Sequence, residues 1–166
     1  VKNERAKAFE RLCREEYPRV TRTAYLITGD REEAVDIAQE ALARAYERWR
    51  TVSQLDRPGA WLQRVAGNLA ISWRRRQRYV SRNALEVEDR ADRLAPGSDL
   101  DLMEALQFLS PAQRAVVVLR YYADQPIDQV AKALNKAPGT VRALASQGLA
   151  RLREFLREEV DDDART

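Results

Sequence analysis

The sequence predicts an all-α protein built as two small helical domains joined by a flexible acidic linker. Three observations lead there. The 166 residues are rich in Ala, Leu, Arg and Glu and hold only six glycines, a composition that favours helix over strand. Apolar residues recur at three- and four-residue intervals in two blocks, with a stretch between them where that period fails. Charge divides along the same lines. Residues 1–83 carry 18 basic and 11 acidic side chains, residues 84–104 carry 2 and 7, and residues 105–160 carry 8 and 5, giving +7, −5 and +3 within a total of +3. Two basic blocks around an acidic connector suit two polyanion-binding domains.

The first block opens with Phe9, Leu12, Cys13, Tyr17, Val20, Ala24 and Ile27 in helical period, and Pro18 is expected to bend or break the run. Asp30-Arg31-Glu32-Glu33 follows the turn residue Gly29 and has the form of a capping box, so a second helix starts there. Ala34, Ala38, Ala41, Leu42, Ala45 and Trp49 then give it one apolar face to about residue 50. Pro58 suits the first turn of a third helix, which places Trp61, Leu62, Val65, Ala66, Leu69 and Ile71 or Trp73 partly inside and ends in Arg74-Arg75-Arg76-Gln77-Arg78.

Between Ala84 and Met103 acids mix with Pro96-Gly97-Ser98, which reads as an extended, mobile linker. The second block opens with Leu102, Ala105, Leu106 and Leu109. Ser110-Pro111-Ala112-Gln113 then forms a complete helix start, with Ser as cap, Pro in the first position and Gln closing the box, and the helix runs to about Tyr122. A short segment from Ile127 to Leu134, a turn at Asn135-Lys136-Ala137 and a longer segment from Pro138 to about Glu159 have helix-turn-helix proportions. The domain limits read from this pass are 1–83, a linker at 84–103, 104–160, and an acidic tail at 161–166.

Composition excludes several functions. The chain has no histidine, which removes imidazole-based catalysis and His-ligated zinc. Cys13 is the one cysteine, so no intrachain disulfide or cysteine metal cluster forms; its place beside Leu12 and four residues after Phe9 favours a packed thiol over a sensor. No apolar run approaches the ~18 residues needed to cross a bilayer, and the charged amino end is unlike a signal peptide. The expectation is a cytoplasmic protein without cofactor, bound metal, enzymatic activity or direct membrane insertion.

Two sites carry candidate chemistry. In a helix-turn-helix the start of the second helix meets base edges while amides and cations hold phosphates; here that places Lys136, Pro138, Gly139, Thr140, Arg142, Ser146 and Gln147 at DNA. Val130, Ala131 and Leu134 against Val141, Leu144 and Ala145 would lock the two helices, although the same spacing serves any small bundle. The arginine run suits a solvated helix carboxyl end, where cations complement the dipole. Interleaved with Trp61, Trp73 and Tyr79 it equally suits single-stranded nucleic acid, because guanidinium groups neutralise phosphate and exposed rings stack on bases. Trp61 is in phase with Val65 and Leu69, which favours its burial; Trp73 is the better candidate for exposure.

The stretches AYLITGDREEAVDIAQEALARAYERW, RPGAWLQRVAGNLAISWRRR and LSPAQRAVVVLRYYADQPIDQVAKALNKAPGTVRALASQGLARLR, in this order, resemble the extracytoplasmic-function sigma factors of bacterial RNA polymerase, the small actinobacterial type in particular. The resemblance spans nearly the whole chain. It implies a sigma-2-like bundle of three to four helices and a sigma-4-like helix-turn-helix, with core RNA polymerase and promoter DNA as partners. By it, Asp36, Ile37, Gln39, Glu40 and Leu42 dock on the clamp helices of the polymerase. Trp61, Arg64, Asn68, Trp73, Arg74, Arg75 and Arg76 read the melted minus-ten strand, Asn68 facing a flipped base. The acidic linker threads toward the RNA path, and the second domain reads duplex minus-35 DNA while docking on the flap. The factor is monomeric when bound to polymerase, nucleoid-associated when active, and otherwise held by an anti-sigma partner that is commonly membrane-bound.

The chain departs from that pattern where family members commonly have Gly, Ser and a basic stretch: here stand Asn135, Ala137, Ala143-Leu144 and Gln147. Asn135 can still adopt the left-handed conformation, but Ala137 has no side chain to cap with, a loss of roughly 1 kcal/mol. Weak or redirected minus-35 recognition is expected. That departure motivates the alternatives of a sigma-like regulatory protein and a helix-turn-helix regulator, which would dimerise on a two-fold operator. A small nuclease would need clustered metal-binding carboxylates.

Overall fold

The computed structural model describes residues 2–83 and 98–163, and every regular element among them is helical. The first helix, α1, spans Lys2–Thr28 and continues through Pro18, where the sequence predicted a bend or break. Proline removes one helical donor, but that loss is local, whereas Val20 and Ala24 in the following turns are fully buried against α2 and α4. The Thr21 hydroxyl also donates to Tyr17 O in the same turn at 2.7 Å.

Gly29 turns the chain with φ +73°, a value open to glycine at little cost. Asp30 then caps α2, Arg31–Glu47, its carboxylate accepting from Glu33 N at 2.9 Å. Ala34, Ala38, Ala41 and Ala45 form a stripe no more than 1 % exposed, and their small size lets α1 and α2 approach closely. The helix ends earlier than its periodicity suggests. Trp49 belongs to a separate turn, α3 (Trp49–Val52), which folds it inward onto the edge of the Phe9 ring at 5.3 Å. The last helix of this half, α4, is Pro58–Asn83. Leu62, Ala66, Ala70 and Ile71 bury its inner face, and Gln63 accepts from the Thr23 hydroxyl of α1 at 2.6 Å inside the core.

The expected extended linker lies largely at 84–97, outside the described residues. Its final part is helix: α5 spans Ser98–Gln107, held by buried Met103 and Leu106. Ser110 and Gln113 form the predicted reciprocal capping box of α6, Pro111–Val117. The run expected to continue as α-helix to Tyr122 widens into a π-helical turn over Val118–Tyr122. Asp124, at φ +53°, and a bond from Arg120 Nη1 to Gln125 O at 2.7 Å close the connection to α7, Ile127–Leu134.

Asn135 sits in the left-handed region at φ 52°, ψ 49°, and the long α8, Pro138–Asp163, follows. Val130 and Val141 are at most 1 % exposed and join α7 to α8 as predicted. Asn135→Ala should destabilise this half by about 1–2 kcal/mol, the cost of placing a β-carbon in left-handed backbone. Asn135→Gly should not. Urea unfolding of the two variants checks this pair.

The two halves pack on each other. Arg114 of α6, 5 % exposed, donates through Nε to Leu26 O at the carboxyl end of α1 at 2.6 Å. Arg74 of α4 approaches Thr28 O on the same helix end at 3.5 Å. Two guanidinium groups therefore complement the negative end of one helix dipole.

Candidate polymerase and nucleic-acid interfaces

The outer face of α2 presents Asp36, Gln39 and Glu40 to solvent, with Leu42 half-buried. Ile37, expected among the docking residues, is 4 % exposed: it lies on the alanine stripe, so its side chain packs inward. Glu40 accepts from Arg44 Nε at 2.8 Å, a surface i,i+4 pair worth a few tenths of a kcal/mol.

Burial first, then the neighbouring Asp36 and Asp30, push the Glu33 carboxyl above its ordinary 4.5, against Arg76 and a hydrogen bond with Trp73. A raised folded-state pKa contributes stability that is full below the unfolded value and is lost as pH rises through the folded one. Urea midpoints of the parent protein should therefore fall, relative to Glu33→Gln, as pH is raised from 4.5 toward neutrality.

On α4 the residues Arg64, Asn68, Arg74, Arg75 and Arg76 do share one helix, but not one environment. Arg64 is half-buried, while Asn68, Arg75 and Arg76 are exposed. Trp61 and Trp73 are both half-buried, so the expected contrast between them does not arise, and Trp73 is engaged with Glu33. Arg74 is half-buried where it meets the end of α1. The exposed aromatic on this helix is Tyr79.

The helix-turn-helix brings its predicted residues together. Lys136, Pro138, Gly139, Thr140, Arg142, Ser146 and Gln147 are all exposed along the start of α8. Lys136 and Arg142 are the cations of this set, fewer than on α4, and Gln147 is steadied by Gln113 Nε2, which donates to its Oε1 at 3.4 Å. The surface therefore offers hydroxyls, an amide and two cations to a groove, chemistry suited to base edges more than to strong phosphate attraction.

Residues that sequence reasoning passed over join the halves. Leu119, on the π turn, is 2 % exposed and points at Gly67 of α4; a β-carbon at Gly67 would stand 2.5 Å from Leu119 Cδ2. That approach accounts for a glycine inside a helix, where it costs about 0.5–1 kcal/mol relative to alanine. Gln125 Nε2 donates to Ala60 O at 3.3 Å, and Arg75 Nη2 to Ala133 O at 3.4 Å. The Arg22 guanidinium lies 5.5 Å from the centre of the Tyr122 ring. Burial pushes the Arg114 guanidinium down to about 10, with repulsion from Arg74 adding to it and Tyr25 opposing. The only signals in the sequence were the out-of-place Gly67 and a long apolar run, Ala115 to Leu119, too wide for one helix face.

Comparison with known proteins gives two family matches. Residues 12–79 match sigma-70 region 2, and residues 99–152 match sigma-70 region 4. The chain is 34 % identical over 159 residues to the RNA polymerase sigma-E factor of Streptomyces coelicolor, covering 89 % of this chain and 85 % of that one. It is likewise 34 % identical over 147 residues to the ECF RNA polymerase sigma factor SigL of Mycobacterium tuberculosis, covering 82 % of each. Among solved structures, the sigma factor RpoE of Bartonella quintana, crystallised with the anti-sigma factor NepR, superposes with a TM-score of 0.68 at 24 % identity, covering 91 % of this chain and 98 % of that one; it shares the fold.

Proposed function

Because the chain belongs to the extracytoplasmic-function branch of the sigma-70 family, we propose that its surfaces divide the work of a sigma factor, which binds core RNA polymerase and directs it to promoters for transcription initiation. Within that function we assign residues 1–83 to polymerase docking and minus-ten recognition and residues 104–160 to minus-35 recognition. Asp36, Gln39 and Glu40 are the polar docking residues, with Leu42 at their edge; Ile37 supports them from the core. Arg64, Asn68, Arg75 and Arg76 meet the melted strand. Thr140, Arg142, Ser146 and Gln147 face the major groove, with Lys136 and the amides at Pro138–Gly139 beside the backbone.

One observation carries this assignment: the two basic, polar surfaces lie on separate helices, α4 and α8, anchored in one continuous apolar core, as suits a protein that contacts two promoter elements. An anti-sigma protein is the further partner of this reading, the factor works as a monomer on polymerase in the cytoplasm, and the polymerase supplies the chemistry. Among the described residues no helix is long and apolar enough to cross a membrane.

Run-off transcription with bacterial core polymerase on fragmented genomic DNA of the host tests the reading. New starts that share upstream elements are expected only when this protein is present. Polymerase binding without new starts would instead point to a sigma-like regulatory protein. Gln39→Ala with Glu40→Ala should weaken association with core polymerase by about tenfold, the size of one lost charge-assisted contact, while helical content is unchanged. Sedimentation with core enzyme and circular dichroism measure the two sides of that expectation.

A further inference from the structure

A cavity of about 340 Å³ opens where the end of α1 and the second half of α4 meet the start of α6 and the turn between α7 and α8. Its floor includes the buried side chains of Ile27, Ile71 and Leu134. Every charged residue that lines it is basic: Arg74, Arg75 and Arg78 from α4, and Lys136 from the turn. The chain as a whole is nearly balanced, with 29 basic and 26 acidic residues, so four charges of one sign around one cavity are a local concentration.

The fold does little to neutralise this concentration. Arg78 follows Arg74 by four residues and Arg75 by three, so the three guanidinium groups are neighbours on the helix surface and repel. Arg75 Nη2 donates to Ala133 O at 3.4 Å, a neutral partner, and among the described residues no carboxylate pairs with Arg75, Arg78 or Lys136. Arg114, which grips the same end of α1 as Arg74 and is repelled by it, adds to the field. A cleft that combines charges of one sign with apolar walls focuses that field and draws in ions of the other sign.

We propose that this cavity binds a small nucleoside polyphosphate, with its phosphates held by Arg75, Arg78 and Lys136 and its base laid against Ile27, Ile71 and Leu134. Guanidinium groups bind phosphate through paired hydrogen bonds, and a lysine adds a point charge. The volume lies within the range of small-molecule pockets, whose usual lining is an apolar floor with a few convergent polar groups. An inorganic anion would leave that floor unused. The site stands on this geometry alone. On the sigma-factor reading, which assigns Arg75 and Lys136 to DNA, an occupied cavity competes with promoter contact, and only that consequence rests on the reading.

Calorimetric titration of the full chain with ATP should give one site per chain. Tripolyphosphate, which has no nucleoside, should bind about fivefold or more weakly, because it buries nothing on the apolar floor. Arg78→Gln with Lys136→Gln should weaken ATP binding by about tenfold or more through the loss of two charge-assisted contacts, and both side chains are exposed, so the fold is kept. Arg5→Gln with Lys7→Gln removes the same charge from exposed positions of α1 and should leave ATP affinity within about twofold. Ala112→Glu puts a carboxylate into the cavity at a helix start, where acids are favoured, and should abolish binding. Equal ATP affinity in the parent and in either cavity variant would overturn the proposal, as would tripolyphosphate binding as tightly as ATP. If Ala112→Glu weakens binding of a single-stranded oligonucleotide but not of ATP, the cavity belongs to the strand and the proposal fails. Calorimetry needs no polymerase, so an absence of transcript starts would sink the sigma-factor reading and leave this site standing.

Discussion

Arg75→Gln combined with Arg76→Gln is expected to lose most of the salt-sensitive part of melted-strand binding. Each phosphate contact on single-stranded DNA contributes about 0.7 to the slope of log affinity against log salt. Removing two should therefore flatten the slope by about 1.4, so the variant loses about sevenfold less affinity than the parent between 50 and 200 mM salt while binding more weakly at the lower one. Both side chains are exposed, so folding should change by no more than about 0.5 kcal/mol. Promoter-complex formation by the polymerase holoenzyme, titrated against potassium chloride, measures the slope. An unchanged slope would mean that the arginines serve the chain's own contacts, the helix end and Ala133 O, in line with the alternative that the charge run left open.

Leu62→Ala should act through folding. Leu62 has no exposed surface, belongs to the helix that packs on α1, and directly precedes Gln63, which accepts from the Thr23 hydroxyl. Truncating a fully buried leucine costs about 2–5 kcal/mol, the transfer of the lost carbons plus the cavity left behind. Against a total of about 5–15 kcal/mol this is a large share, and for a chain of this size it corresponds to a fall in Tm of about 4–20 °C. Thermal unfolding followed by circular dichroism gives the value. The two variants separate the roles of α4, since one should lose binding with the fold intact and the other should lose both.

Much of this architecture was legible because the signals were local. Ser110-Pro111-Ala112-Gln113 states its capping box in four letters, and Asn135 announces the left-handed turn of the helix-turn-helix with little help from distant residues. The stripe Ala34, Ala38, Ala41, Ala45 likewise fixes the inner face of α2, and its period could have warned that Ile37 belongs inside. Pro18 misled because its penalty is local while the burial of Val20 and Ala24 around it is not.

The contact between the halves was illegible for a related reason. Arg114 and Gln125 read as surface residues in isolation; only a carbonyl 88 positions earlier, at Leu26, makes burying a guanidinium tolerable. A π turn has no distinctive composition either, and Val118–Tyr122 looks like ordinary helix until Leu119 must reach Gly67. The resemblance to sigma factors pointed to candidate surfaces, but it assigned Trp73 and Arg74 to DNA without indicating that Glu33 and the end of α1 already engage them.

The shared grip of Arg74 and Arg114 on the end of α1 also has a consequence for the order in which the protein is made. Arg74 leaves the ribosome with its own half, but Arg114 lies 31 residues beyond the last residue of α4, Asn83. At about 5–20 residues per second, the nascent amino-terminal half waits about 2–6 s for the partner that satisfies Leu26 O. During that interval Leu26 O is left to water, and the acidic connector is the first part of the remainder to emerge beside the newborn half.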